Sequence, residues 1–200
     1  GASNTAVGRS ALKDNTTGAY NTAVGLCSQN SVTTASSNVS IGANSLRDNV
    51  TGTANTALGH AALIVNTASN NTAAGWLSLS ANTSGANNTG IGVQSLAANT
   101  TASNNTAVGC GALLANTTGS QNNAFGRNAL DANTTASYNN AFGHGTLGLN
   151  TTGSENTGMG DGVLANSTTA SFNTAVGSAA LYANTTGASN TAVGKNAMLL

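Results

Sequence analysis

Proline is absent from this sequence, charge is scarce and aromatic side chains are few. Lys, Arg, Asp and Glu together make up 5% of the 200 residues, against about 25% in an average soluble domain. The five cations (Arg9, Lys13, Arg47, Arg127, Lys195) balance the five anions (Asp14, Asp48, Asp131, Glu155, Asp161), giving a formal net charge of zero. No basic stripe exists to track a phosphate backbone, which argues against a nucleic-acid partner. No apolar run approaches the roughly 20 residues of a membrane span, so no membrane insertion is expected in this segment, and no basic-then-apolar leader opens the chain. The two cysteines, Cys27 and Cys110, fall in different repeats and at different repeat positions. No disulfide is expected between them, and each is read as a small, half-buried apolar side chain.

A fixed period distinguishes the chain from a disordered polar segment. The glycine of a recurring N-T-A-V-G falls at Gly8, Gly25, Gly42, Gly59, Gly75, Gly92, Gly109, Gly126, Gly143, Gly160, Gly177 and Gly194. Each step is seventeen residues except that from Gly59 to Gly75, which is sixteen and lacks one residue after Asn66-Thr67. Four positions before every one of these glycines stands Asn. Two before it the residue is small, one before it apolar, and four after it Leu, with Gln29 and Met198 as the exceptions. Seven after it comes Asn in nine of eleven copies, usually as N-T-T.

Helical repeats need more than thirty residues, and the fixed Gly, Asn and Thr are poor helix formers. Seventeen residues suit one coil of a narrow solenoid. The prediction is an all-β fold: a parallel β-solenoid, or β-roll, of about twelve seventeen-residue rungs, over residues 1–200 as one continuous array within a longer fibre protein. Each rung is expected to hold two short strands, N-T-A-V and a second around the A-L pair. The Val and Leu columns are expected to point inward and stack rung on rung. The glycine is expected at a corner needing positive φ or close backbone approach, and Asn at corners or in amide ladders. The residue after N-T-T alternates between Gly and Ala (Gly18, Ala35, Gly52, Ala68), which leaves open a wider coil of thirty-four residues per turn. So thin a coil buries little apolar area per rung. Association of several chains, with Trp76 and Val93 among the contacts, is therefore expected.

The third repeat reads Ser37-Asn38-Val39-Ser40-Ile41-Gly42-Ala43-Asn44-Ser45. It resembles the S-V-A-I-G-x-x-S repeat in the head domains of trimeric autotransporter adhesins. The commoner N-T-A-V-G-x-x-A-L is similar to repeats of phage tail fibres. The resemblance spans the whole chain through its repeat. It implies a left-handed parallel β-roll, a homotrimer, and an extracellular location on a cell surface or virion. It does not extend to a neck motif, a coiled-coil stalk or an anchor, and most copies carry Thr where the adhesin repeat has Val.

The function expected is a structural fibre segment, a rigid spacer and adhesive surface of an adhesin, filament or tail fibre. The alternatives are a glycan-coated self-assembling filament and an ice-binding solenoid with a Thr/Asn face. No enzyme, cofactor or metal site is expected. His60 and His144 stand five rungs apart in one column, and the carboxylates are scattered singly. Tyr20, Tyr138 and Phe172 share an outward column and are candidate contacts for a cell-surface glycan, because aromatic rings stack on sugars; scattered surface variation is the plainer reading. Asn15, Asn49, Asn82, Asn99, Asn116, Asn133, Asn150 and Asn184 fit the glycosylation pattern at the N-T-T corner, as do Asn38, Asn70, Asn87, Asn104 and Asn166 elsewhere. A repeat rich in Asn and Thr also produces such sites by accident.

Overall fold

A computed structural model describes residues 1–199. Twelve three-residue strands, β1 (Thr5–Val7) through β12 (Thr191–Val193), each end one residue before a repeat glycine. They form one parallel sheet in sequence order, and no helix occurs among the described residues. Every strand pairs with its own copy in the next repeat, as Thr5 with Thr22 and Val7 with Val24. One repeat is therefore one turn of the solenoid, and a thirty-four-residue turn is excluded. About eleven turns at roughly 4.8 Å each give a rod about 50 Å long.

The rung contains one strand, not the two expected. After the glycine the chain makes consecutive turns: the Ala11 N–H donates to the Gly8 carbonyl and the Asn15 N–H to the Leu12 carbonyl. Two residues of this segment have left-handed backbone, as in Ser10 (φ 60°) and Leu12 (φ 51°). Alternating backbone hand curls the chain too tightly for a strand. It still leaves N–H groups aimed along the axis, so that Leu12 donates to Ser28 and Asp14 to Asn30 of the next rung.

Leu46, Leu63, Leu79, Leu96, Leu113, Leu130, Leu147 and Leu164 are fully buried and form the inward ladder expected of the Leu column. Each pays about 1–2 kcal/mol for its left-handed backbone and gains about 1.5–3 kcal/mol from burial. The Val column does not point inward. Strand side chains alternate, and the Asn at the strand's start lies inside, so the small residue two positions on lies inside too. Ala23, Ala57, Ala73 and Ala107 are fully buried, while Val7, Ile41, Leu58, Ile91 and Met159 are exposed. A narrow coil has room for Ala, not Val, opposite Leu.

Two asparagine columns hold the interior together. In the first, before each strand, the side-chain oxygen accepts the next Asn's backbone N–H, as Asn21 Oδ1 does from Asn38 at 3.0 Å. Its amide meanwhile donates to a carbonyl of the next rung, as Asn21 Nδ2 does to Ala35 at 2.9 Å. In the second, within N-T-T, the amides stack directly. Asn99 Nδ2 donates to Asn82 Oδ1 at 2.7 Å and Asn116 to Asn99 at 3.0 Å. The two columns share an acceptor: the Gly52 carbonyl takes bonds from Asn38 and Asn49. A buried amide without partners would cost about 1–3 kcal/mol; Asn recurs at every rung of the first column, whereas Val32 and Ser167 interrupt the second.

Rung two exchanges the two chemistries. Gln29 takes the Leu position and Val32 the Asn position, both fully buried. Gln29 Nε2 donates to the Thr22 carbonyl and to Ser40 Oγ, both at 2.9 Å. Polarity removed from one ladder reappears in the other.

The shortened repeat is absorbed at its corner. β4 (Thr56–Leu58) and β5 (Thr72–Ala74) stay in register although the step is sixteen residues. Asn66 reaches the Ala68 carbonyl two residues on, where other rungs reach three residues on. Leu63 and Leu79 remain fully buried. At the corner after N-T-T a serine hydroxyl accepts the backbone N–H of the preceding rung whether it follows Ala, as Ser36 and Ser103 do, or Gly, as Ser120 and Ser154 do, so this bond does not explain the Gly/Ala alternation.

Candidate functional site

The outward face of the sheet is the most regular surface of the rod. Each strand contributes two outward side chains, a Thr (Val39, Asn123 and Asn140 excepted) and the apolar residue two positions later. None of the twenty-four positions is charged. All ten charged residues lie in other columns, so the face is a strip of methyl, hydroxyl and alkyl groups bordered by charge elsewhere. In the middle of this strip, β8 (Asn123–Phe125) and β9 (Asn140–Phe142) depart from it together. The rings of Phe125 and Phe142 stack with centroids 5.0 Å apart and planes 7° from parallel. Asn123 Nδ2 donates to Asn140 Oδ1 at 2.8 Å.

The column after each glycine is exposed and flanks this face, with Trp76 and Val93 in it. Stacking here produces a polar chain that the linear sequence hides. Arg127 Nη2 lies 3.0 Å from His144 Nε2, and His144 Nδ1 lies 3.0 Å from Asp161 Oδ1. The neutral Nδ1–H tautomer satisfies both contacts, since Arg then donates to the bare nitrogen and the ring N–H donates to the carboxylate. These three residues are spaced by seventeen, and reading each column at that spacing is the signal that finds them. His60 lies five rungs away.

Tyr20, Tyr138 and Phe172 are all exposed, in the column immediately before the first Asn ladder. Tyr20 has Ser3 and Ser37 as its rung neighbours, whereas Glu155 separates Tyr138 from Phe172. A shallow cavity of about 470 Å³ is lined by Tyr138 and Glu155.

The expected glycosylation corner lies inside the solenoid. Asn49, Asn82, Asn99, Asn116, Asn133 and Asn150 are fully buried, with their amides in the ladder. Asn15 and Asn184, in the terminal rungs, are half-buried and donate to the Gly18 and Gly187 carbonyls. A glycan on any buried amide would break the ladder that folds the rung. The exposed sites of the same pattern are Asn70, Asn87 and Asn104, one per rung in the Tyr138 column.

Cys27 is half-buried and Cys110 exposed, both free; five rungs, about 24 Å, separate them, far beyond disulfide reach. The described residues contain no cluster of three or more His, Cys, Asp or Glu side chains placed to hold a metal ion. No described helix is long and apolar enough to cross a membrane. Burial pushes the Asp131 carboxyl above its ordinary range, against hydrogen bonds from its own and the Ala132 backbone N–H. The Arg47 guanidinium is pushed up by its hydrogen bond to the adjacent Asp48, at 2.7 Å on the surface.

Comparison of the chain with protein-family models, curated proteins and solved structures returns no match.

Proposed function

We propose that this chain is a segment of a structural fibre whose uncharged sheet face is buried against copies of itself in a parallel homotrimer. The observation that carries the proposal is the outward apolar column. In α/β folds the crossover helices cover both faces of a parallel sheet; no helix among the described residues covers the outer face of this one. Here one face covers the chain's own interior, and the other leaves Ile41, Leu58, Ile91 and Met159 exposed. A face that repeats at every rung can meet the same face on a copy in register, and its lack of charge avoids the cost of desolvating ions, leaving the Thr hydroxyls to be hydrogen-bonded. Three chains rather than two is supported by the resemblance of N-T-A-V-G to the repeats of three-chain β-rolls. The columns off that face then set what an extracellular fibre presents, and the rung count sets its length. In the double variant Ile91→Asp, Val108→Asp the association is expected to fall apart in sedimentation, while Thr101→Asp, at the exposed N-T-T corner away from the face, leaves it intact. A double variant that sediments like the parent overturns the proposal.

A second reading, an ice-binding solenoid, is favoured by one observation. Most strands project a Thr hydroxyl from a flat uncharged face, at about 4.8 Å along the rod, rather than from a corner. The Asn123/Phe125 and Asn140/Phe142 rungs interrupt that array. Absence of thermal hysteresis in solution removes this reading.

A further inference from the structure

The geometry points to a buried binding site for one water molecule at Ser167, where the second asparagine column is interrupted; the site does not depend on how chains associate. In the unbroken part of that column each Nδ2 donates twice. Asn116 donates to Asn99 Oδ1 at 3.0 Å and to the Gly119 carbonyl at 2.9 Å. Asn133 donates to Asn116 Oδ1 at 2.9 Å and to the Ala136 carbonyl at 3.1 Å. Asn150 continues the pattern with Asn133 Oδ1 and the Gly153 carbonyl. One rung on, Ser167 holds the ladder position, fully buried and without an amide. The two acceptors that an amide there would serve are Asn150 Oδ1 and the Ala170 carbonyl. Asn150 Oδ1 has no hydrogen-bond partner among the described residues, and neither has Ser167 Oγ. The Ala170 carbonyl takes a bond from Asn156, where the Ala136 carbonyl takes bonds from both Asn122 and Asn133. Two orphaned buried side-chain atoms and a half-used carbonyl therefore meet at one corner.

The backbone does not close around the smaller side chain. The Ser167 N–H reaches the Leu164 carbonyl at 3.1 Å, as the Asn150 N–H reaches Leu147 at 3.1 Å. Thr168 pairs with the Thr185 carbonyl of the next rung at 3.0 Å, much as Thr134 pairs with Thr151 at 3.1 Å. Serine lacks the two terminal heavy atoms of asparagine, which leaves room for a single water. The two O–H groups of a water replace the two donations of an amide, one to Asn150 Oδ1 and one to the Ala170 carbonyl. Its oxygen accepts from the Ser167 hydroxyl. That makes about three partners, the usual number for a buried water. No residue of this column carries charge, so a neutral ligand fits where a buried cation would go uncompensated. Val32, the other interruption, fills its position with branched carbon and leaves no such room.

The test is magnetic relaxation dispersion of the water signal, which counts the long-lived waters held by each intact chain. Ser167→Asn restores the amide, and the count is expected to fall by one. The same variant is expected to melt above the parent, because the ladder then runs unbroken from Asn49 to Asn184. Ser167→Val fills the position as Val32 does and is expected to lose the same water. Circular dichroism checks that both variants keep the fold. The assignment is overturned if either folded variant holds as many long-lived waters as the parent. It is overturned equally if Ser167→Asn melts below the parent, since the corner then has no room for what an amide and a water share.

Discussion

Two glycines two positions apart, Gly143 and Gly145, separate steric need from backbone preference. Gly143 has φ 136°, and a Cβ there would lie 2.1 Å from the Gly160 carbonyl oxygen. Gly145 has φ 60°, and a Cβ there would meet nothing within 4 Å. Gly145→Ala is therefore expected to cost only the left-handed backbone penalty, about 1 kcal/mol. Gly143→Ala forces neighbouring rungs apart and is expected to lower the thermal midpoint far more. Equal losses in the two melting curves would contradict this account of the glycine column. Asp131 offers a pH test. Burial raises its carboxyl in the folded chain above the unfolded value. Its contribution to stability is thus fully present below the ordinary carboxylate value and is lost as pH rises through the raised one. Asp131→Asn is expected to melt above the parent at neutral pH, the difference shrinking as the solution is acidified. A difference that grows on acidification would reverse the sign and the argument.

The rung is where sequence reading and structure part most clearly. The seventeen-residue period, the strand before the glycine, the inward Leu column and the glycine's two roles were legible, because each repeats at a fixed offset. The direction of the Val column was not. Apolar character suggested an inward position, but parity from the buried Asn decides it, and nothing in a single repeat says that the Asn is inside. The uniformly small residue between Thr and Val was the available signal. The second Asn column was legible in part: an amide ladder was among the expectations for it, but N-T-T has the composition of an exposed turn, and its Asn lies buried in that ladder. That ladder can be tested directly. Asn116 donates to Asn99 and to the Gly119 carbonyl and accepts from Asn133. Asn116→Ala leaves several buried polar groups unpaired and is expected to destabilise the chain by about 2–4 kcal/mol in chemical denaturation. A loss below about 0.5 kcal/mol would mean that the ladder contributes little. The Arg127–His144–Asp161 stack joins residues seventeen apart, the same step at which every outward column reads off the sequence.

The whole molecule is a rod with a close-packed interior of Leu, Ala and Asn columns and one long uncharged face that it does not cover. Interior stability is nearly a sum of rung and nearest-neighbour terms, as in other repeat arrays, and so extends without limit. The outward face is different, because its apolar column gains burial only from another chain. The central claim is that copies of this chain provide it. The mass in dilute solution by light scattering tests that claim most directly: the account predicts three times the 19.3 kDa chain mass, and a stable species at 19.3 kDa would contradict it.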